Sequence, residues 1–590
     1  MLTVVQFINF VIILVSFNTI IHSYPFSYTL TRAVLIFQLI WVMLGQYIFY
    51  RRKIRGLEYV LLFLLPLLLL QYVVEGYSSG FAVLPLDIQV LPRMRASVAY
   101  EMLHDLGYLY PQLDPHLAYP QEFMILHILR LITSRPIIEL YEGVMKTVSL
   151  IFWIIFVMLL HEYTKNILKD ARYSSFEYFL VRLTASLLLT FPPGYSGEMS
   201  YAYPSLALIF YLLLNRSNYS RNLLLLVMLS LGVILGSQRE TLTLLVFTVT
   251  ALMFFILHKY TKASIMYMII SILTLLQLLY NAQLYVAEYK NYLQGLLRVL
   301  DEIVRGEVYV RRPPLHTVLA LRFPVDRWLN TVGSTAFLTT LILSGSIGLM
   351  TFALYIHSLI KKKMRADAYS SNVEPIIVEL SIVVTFLVFS FIIAVQYVAN
   401  IFGLWTIDFE SIIPLIRPTI LFIPLIGVKI FKYRLRSGGS KFKGSSKGNR
   451  SQSLFSLLLT LMTFYTLLSP LGLALRTDVR GYIDVVDARG DPTELTILAN
   501  NVYNFLLRYG FSPQTVVLDS RFSGHYLYLP LKYKGFNVVV CDYCHQAVTR
   551  DVNALKFSTI VLNNGNFILY FKNNDNVIHI YDGEHVIMPY

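Results

Sequence analysis

Cysteine is almost missing from this chain: only Cys541 and Cys544 occur among 590 residues. That excludes a disulfide scaffold beyond one small loop. Charge is scarce as well. Asp, Glu, Lys and Arg make up 14% of the chain, while hydrophobic residues reach 56%. With a mean hydropathy of +0.59, this balance excludes an ordinary soluble enzyme and predicts a polytopic membrane protein. Also missing, ahead of the apolar run Leu2–Ile21, are a positively charged n-region and a small-residue cleavage site. That run is therefore expected to be a retained first span, not a removed signal peptide.

What the chain does have is a net charge of +14. Its Lys and Arg lie mostly in short loops between apolar runs, where they set topology, so no nucleic-acid partner is expected. Apolar runs able to cross about 30 Å of hydrocarbon are predicted near 2–22, 30–50, 57–75, 147–161, 176–193, 201–215, 222–237, 240–258, 263–284, 332–360, 376–398, 411–431 and 453–473. That makes about thirteen transmembrane helices. Basic loops such as Arg51-Arg52-Lys53-Ile54-Arg55, Lys361-Lys362-Lys363-Met364-Arg365 and Lys429–Arg450 all fall on one side, cytoplasmic by the positive-inside rule. The N-terminus then lies on the cytoplasmic side of the cell membrane. The 77–146 loop, the 285–330 segment and everything after Leu473 lie outside. The sequons at Asn215, Asn218 and Asn449 fall in predicted cytoplasmic loops and are read as unmodified. Ser437–Arg450 reads as a flexible linker.

The polar interruption from Tyr77 to Lys146 is too long for an ordinary connection between spans and suggests an ordered outer element. Val98, Met102, Leu103 and Leu106 share a helical face that Gly107 ends, with Glu101 and Asp105 expected to be solvated. Asp114-Pro115 begins a turn. A second helix, Glu122–Thr133, is apolar on most faces except for His127 and Arg130, is too short to span, and is predicted to lie at the membrane interface. In the 285–330 segment, Arg311-Arg312-Pro313-Pro314 is a basic surface element. After Leu473 the pattern predicts a small α/β domain. It has a capped helix from Asp491 to Gly510 and strands at Thr515–Leu518, Asn537–Val540, Thr559–Leu562, Phe567–Phe571 and Val577–Tyr581. Asn-rich turns separate the last three strands.

Few residues stand out as chemical candidates. Asp87 follows a predicted span end, where water, headgroup and an acceptor hydroxyl meet, and a carboxylate there can act as a general base. The plain alternative is a helix cap or a solvated loop acid. Arg239-Glu240 sits in a tight outer hairpin, where charge is costly unless paired or functional. Arg417, inside Pro414-Leu415-Ile416-Arg417-Pro418-Thr419, offers a bidentate fork suited to phosphate, or snorkels to the headgroups. Cys541-Asp542-Tyr543-Cys544 lacks the further ligands a zinc site needs, so no metal is expected.

A span, an outer loop opening on an acid, a surface helix ending in Leu106-Gly107, Tyr119-Pro120 leading into an apolar helix with His127, and a final outer α/β domain together form a pattern. It resembles the GT-C superfamily of polytopic membrane glycosyltransferases, particularly archaeal members. The resemblance implies a GT-C-like membrane domain over 57–473 behind an added N-terminal hairpin, 1–56, and ahead of an extracytoplasmic domain, 474–590. It implies transfer of a sugar from a polyprenyl-phosphate-linked donor to a glycan, protein or lipid acceptor on the outer face of the membrane. Asp87 would be the catalytic base, Arg239 and Arg417 would hold the donor phosphate, and Glu240, Tyr119 and His127 would line the site. The chain has no Trp-Trp-Asp tripeptide, and its loop offers Asp87-Ile88-Gln89, not a paired Asp-x-Asp. These departures favour the polyprenyl-phosphate-sugar type, which implies no cofactor or metal, over an oligosaccharyltransferase. The competing readings are a transporter or lipid flippase, and a non-catalytic envelope-assembly protein. Few intramembrane charges and no internal repeat weigh against transport.

Overall fold

The computed structural model describes residues 86–111, 113–135, 137–140, 197–214, 219–257, 261–284, 339–356, 373–401, 415–416, 418–437, 457–458, 461–462, 515–519, 531–541, 558–563, 567–572 and 577–582. The predicted spans at 2–22, 30–50, 57–75, 147–161 and 176–193 lie outside these residues. So do the 285–330 segment, the helix predicted at 491–510, the three sequons, Arg417 and Cys544. The chain divides into two compact units. One comprises Glu75–Lys146 with Thr477–Tyr590, the other Met1–Val74 with Thr147–Arg476.

In the first unit, α1 (Leu86–Asp105) buries Val98 and Met102, as their spacing predicts. Leu106, expected on the same face, is exposed. The helix has already ended there, and Gly107 at φ +75° turns the chain away in a conformation that glycine adopts without steric cost. Asp114 caps a 3-10 turn, Pro115–Ala118, accepting from the His116 N–H at 2.9 Å. Its other carboxylate oxygen accepts from the Arg95 Nε at 2.7 Å. This largely buried ion pair ties the turn back to α1. Next comes α2 (Gln121–Thr133), stopped by Ser134 at φ 56°.

The carboxy-terminal part of this unit is a five-stranded sheet. Its strands are β1 (Thr515–Asp519), β2 (Asn537–Cys541), β3 (Ser558–Asn563), β4 (Phe567–Lys572) and β5 (Val577–Asp582), in the order β2-β1-β5-β4-β3. β1 pairs in parallel with β2 and β5, while β3, β4 and β5 form an antiparallel meander. Each strand overlaps a run read from the sequence, because β-branched and aromatic residues between Asn-rich turns leave little choice. Gly535, at φ +86°, closes the turn that leads into β2.

This sheet region touches the loop. Lys534 Nζ lies 3.2 Å from Glu101 Oε2, so Glu101 is ion-paired and not simply solvated as expected. Burial pushes the neighbouring Tyr533 phenol above its ordinary pKa; Lys534 opposes the shift, and Asp105, Glu101 and Tyr108 add to it.

The second unit is helical in its described residues. It contains α3 (Gly197–Leu214), α4 (Tyr219–Gly236), α5 (Gln238–Leu257), α6 (Thr261–Leu284), α7 (Thr339–Ile356), α8 (Val373–Ile401) and α9 (Ile423–Ser437). Among the described residues, four stretches are long and apolar enough to cross a membrane: Gln238–Leu257, Ser264–Gln283, Thr339–Ile356 and Ile376–Ala394. Their outward faces carry Met253, Leu276, Leu349 and Phe391, all exposed. So much outward apolar surface suits lipid and not water. Thr250, Thr274, Ser381 and Thr385 return their hydroxyls to the carbonyl four residues back, so these four donors are not left to the apolar surroundings. This part of the chain is an α-helical, membrane-embedded protein.

The span predicted as continuous over 411–431 is interrupted. Residues 415–416 and 418–420 are helical and give way to a turn at Leu421–Phe422, after which α9 runs on to Ser437. Pro418 and Pro424 flank that turn, and each removes a backbone donor and crowds the carbonyl four residues earlier. Phe422 then meets Phe210 of α3 edge-on at 6.0 Å, and Phe210 meets Phe247 of α5 at 4.9 Å. These aromatic contacts fix the interruption in the core.

Candidate functional site

Arg239 and Glu240 lie in the first turn of α5, after a one-residue break at Ser237, and not in a loop as expected. The sequence Ser237-Gln238-Arg239-Glu240 has the Ser-x-x-Glu form of a capping box, but the bond formed runs from side chain to side chain, and the Ser237 N–H donates to the Val233 carbonyl. Ser237 Oγ donates to the Glu240 carboxylate. Thr241 Oγ1 donates to the carbonyls of Val233 and Ser237 at 3.1 and 2.6 Å, holding the end of α4 against the start of α5. Glu240 is 1% exposed and Arg239 is half-buried. Replacing Ser237 by Ala removes a hydrogen bond to a buried carboxylate and is expected to cost about 1–3 kcal/mol, lowering the melting temperature in detergent without unfolding the protein.

This end of the helical unit collects polar groups. Thr243 Oγ1 lies 3.2 Å from both the Arg239 carbonyl and the Leu415 carbonyl, 172 residues further along the chain. Thr419, fully buried, donates to the Ile416 carbonyl at 2.9 Å. The structure therefore brings the first turn of α5 beside Leu415 and Ile416, the residues that precede Arg417. A second approach comes from α6, which follows α5 after three residues, with Phe255 stacked on Tyr267 at 5.1 Å. Running back from that join, at 1.5 Å per residue, α6 carries Asn281 to about the level of Ser237. Asn281 is fully buried. A carboxylate, four hydroxyls and a guanidinium, with an amide at about the same level, thus lie at one end of an otherwise apolar bundle, an arrangement costly enough in lipid to mark a site.

The other candidates belong to the first unit. Asp87 lies in the first turn of α1. Tyr119 is fully buried, at the end of the 3-10 turn. His127, on α2, packs on Tyr100 of α1 with centroids 5.3 Å apart, and Tyr100 also stacks on His104 at 5.8 Å. The His127 Nδ1 is buried with no hydrogen-bond partner among the described residues. Such a group is uncommon in folded proteins.

One charged group in the membrane unit escaped the sequence reading. Glu379, on α8, is buried; it accepts from the Tyr355 hydroxyl of α7 and from Lys429 of α9. Glu379 sits inside an apolar run. Its partners are 24 and 50 residues away in sequence, so no local spacing reveals the cluster. Lys429, assigned from sequence to a basic loop, is a helix residue committed to this pair.

The sequence matches no protein-family model and no curated protein.

Proposed function

We propose that this protein is a membrane glycosyltransferase of GT-C type that moves a sugar from a polyprenyl-phosphate-linked donor to an acceptor on the outer face of the membrane. The observation that carries the proposal is the Thr243–Leu415 hydrogen bond, which holds the turn bearing Arg239 beside the segment that continues into Arg417. Two guanidinium groups are suited to a departing lipid phosphate because each offers a planar fork of donors, and low dielectric strengthens every such contact.

In the proposed reaction the Asp87 carboxylate takes the proton from the acceptor hydroxyl. The freed oxygen forms a bond to the anomeric carbon, and the bond from that carbon to the phosphate oxygen breaks. The electron pair leaves with polyprenyl phosphate, and configuration at the carbon inverts. Arg239 and Arg417 neutralise the leaving phosphate. Glu240, Tyr119 and His127 are proposed to line the donor and acceptor sites, with the unsatisfied His127 nitrogen available to a sugar hydroxyl.

The proposed topology has about thirteen spans, a cytoplasmic N-terminus and an extracytoplasmic α/β domain. The grouping of Glu75–Lys146 with Thr477–Tyr590 supports it. Segments that pack together share one side of a membrane, and the sequence places an even number of spans between them.

A strain lacking the gene is expected to accumulate the lipid-linked donor and to lose one sugar from an outer-surface glycan. Profiling both pools tests this, and unchanged pools count against it. Transport of a lipid-linked substrate is the second reading. It is favoured by the Glu379–Lys429 pair, whose carboxylate is buried, and by the interruption at Leu421–Phe422, features that transporters use within the membrane.

A further inference from the structure

The polarity of α2 is inverted with respect to an ordinary surface helix. Its protein-facing side holds Glu122, Phe123 and Leu126, all buried. His127 packs on Tyr100, and the Arg130 guanidinium lies 5.9 Å from the centre of the same ring while its Nη1 donates to the Ser134 carbonyl at 2.6 Å. The outward side holds Met124, Ile128, Leu131 and Ile132, which are 52, 52, 61 and 74% exposed. At ~100° per residue these four cover roughly 100° of the circumference, opposite the buried face. A water-facing helix has the reverse arrangement, because exposed apolar area is unfavourable at about 25 cal/mol per Å².

We infer that this outward stripe is a lipid-docking surface, inserted at the boundary of headgroups and acyl chains in the outer leaflet of the bilayer that holds this protein. Three observations select the bilayer over another occupant. The chain is membrane-embedded, so a leaflet is at hand without any partner having to be recruited. The helix has 13 residues and is about 20 Å long, too short to cross the hydrocarbon but suited to lying along it. Both charges within the helix, Glu122 and Arg130, lie on its protein-facing side, so none interrupts the stripe, and Arg135 follows it as an exposed cation, the sign that anionic headgroups attract. The inference does not rest on the proposed reaction; a transporter with this loop would dock in the same way.

Spin-label accessibility in lipid nanodiscs tests it on the full chain. Met124→Cys, Ile128→Cys and Leu131→Cys are introduced singly after Cys541→Ser and Cys544→Ser, with Lys532→Cys as a water-facing reference. All three stripe positions are exposed, so labelling them leaves the packed face of α2 intact. The expected result is that collisions with apolar oxygen exceed collisions with a polar nickel chelate several-fold at the three stripe positions, with the opposite ratio at position 532. Nickel collisions on the stripe as frequent as at position 532 would place it in water and overturn the inference. Exclusion of both reagents would place it against protein, a second copy or another partner, and would equally overturn it.

Discussion

Asp87→Asn is expected to reduce sugar transfer by about 10²–10⁴-fold, the usual contribution of a positioned general base. The substitution keeps size and shape and removes only the ability to take a proton. It is expected to leave the fold intact, because Asp87 sits in the first turn of α1, where a negative charge adds only about 0.3–1 kcal/mol through the helix dipole. The two roles weighed for this residue therefore separate cleanly. If Asp87 only starts the helix, Asp87→Asn shows a small stability change and ordinary transfer. If it is the base, stability is nearly unchanged and transfer is lost. Initial rates with a fixed lipid-linked donor, together with a melting curve of the same preparation, distinguish them.

The second large effect concerns stability. Lys429→Met is expected to destabilise the helical unit by about 3 kcal/mol, at the low end of the range for breaking a buried pair. The low end applies because Lys429 is 36% exposed and its charge is partly screened, whereas Glu379 is 2% exposed. What drives the loss is the carboxylate left charged in an apolar run with only the Tyr355 hydroxyl to serve it. Adding Glu379→Gln to Lys429→Met removes that charge and is expected to recover most of the loss, since a neutral amide still pairs with Tyr355. Melting in one detergent across the two single variants and the double variant gives the coupling energy directly. Additive losses would mean that the two residues do not act as a pair.

Those two predictions also show where the sequence is legible. The crossing stretches in α5, α6, α7 and α8 were readable because unbroken apolar runs of about 18 residues or more leave a helix as the only chain that satisfies its own backbone in lipid. The strands were readable because β-branched residues alternate with Asn-rich turns. The stop at Gly107 and the turn from Asp114 were readable as local backbone chemistry. Contacts between distant residues were not. Glu379 looks like an isolated acid until α7 and α9 bring Tyr355 and Lys429 to it, and Arg95 gives no sign of Asp114. The composition of α2 announced an apolar helix, but only packing decided that His127 and Arg130 turn inward and that Met124, Ile128, Leu131 and Ile132 turn outward. Ser237-Gln238-Arg239-Glu240 marks the tight turn between two spans, but nothing local shows that Arg239 and Glu240 already belong to α5. For the candidate site, the sequence supplied the residues. The Thr243–Leu415 contact, which no spacing predicts, supplied the reason to join two of their neighbourhoods.

The most direct test of the central claim is turnover by the purified full chain in liposomes supplied with a panel of polyprenyl-phosphate-linked sugars and candidate acceptors. Release of polyprenyl phosphate and appearance of glycosylated acceptor are followed together. The glycosyltransferase reading predicts equal amounts of the two products for at least one donor, and neither product with Asp87→Asn. Intact donor crossing the bilayer, with no polyprenyl phosphate released from any member of the panel, would contradict it.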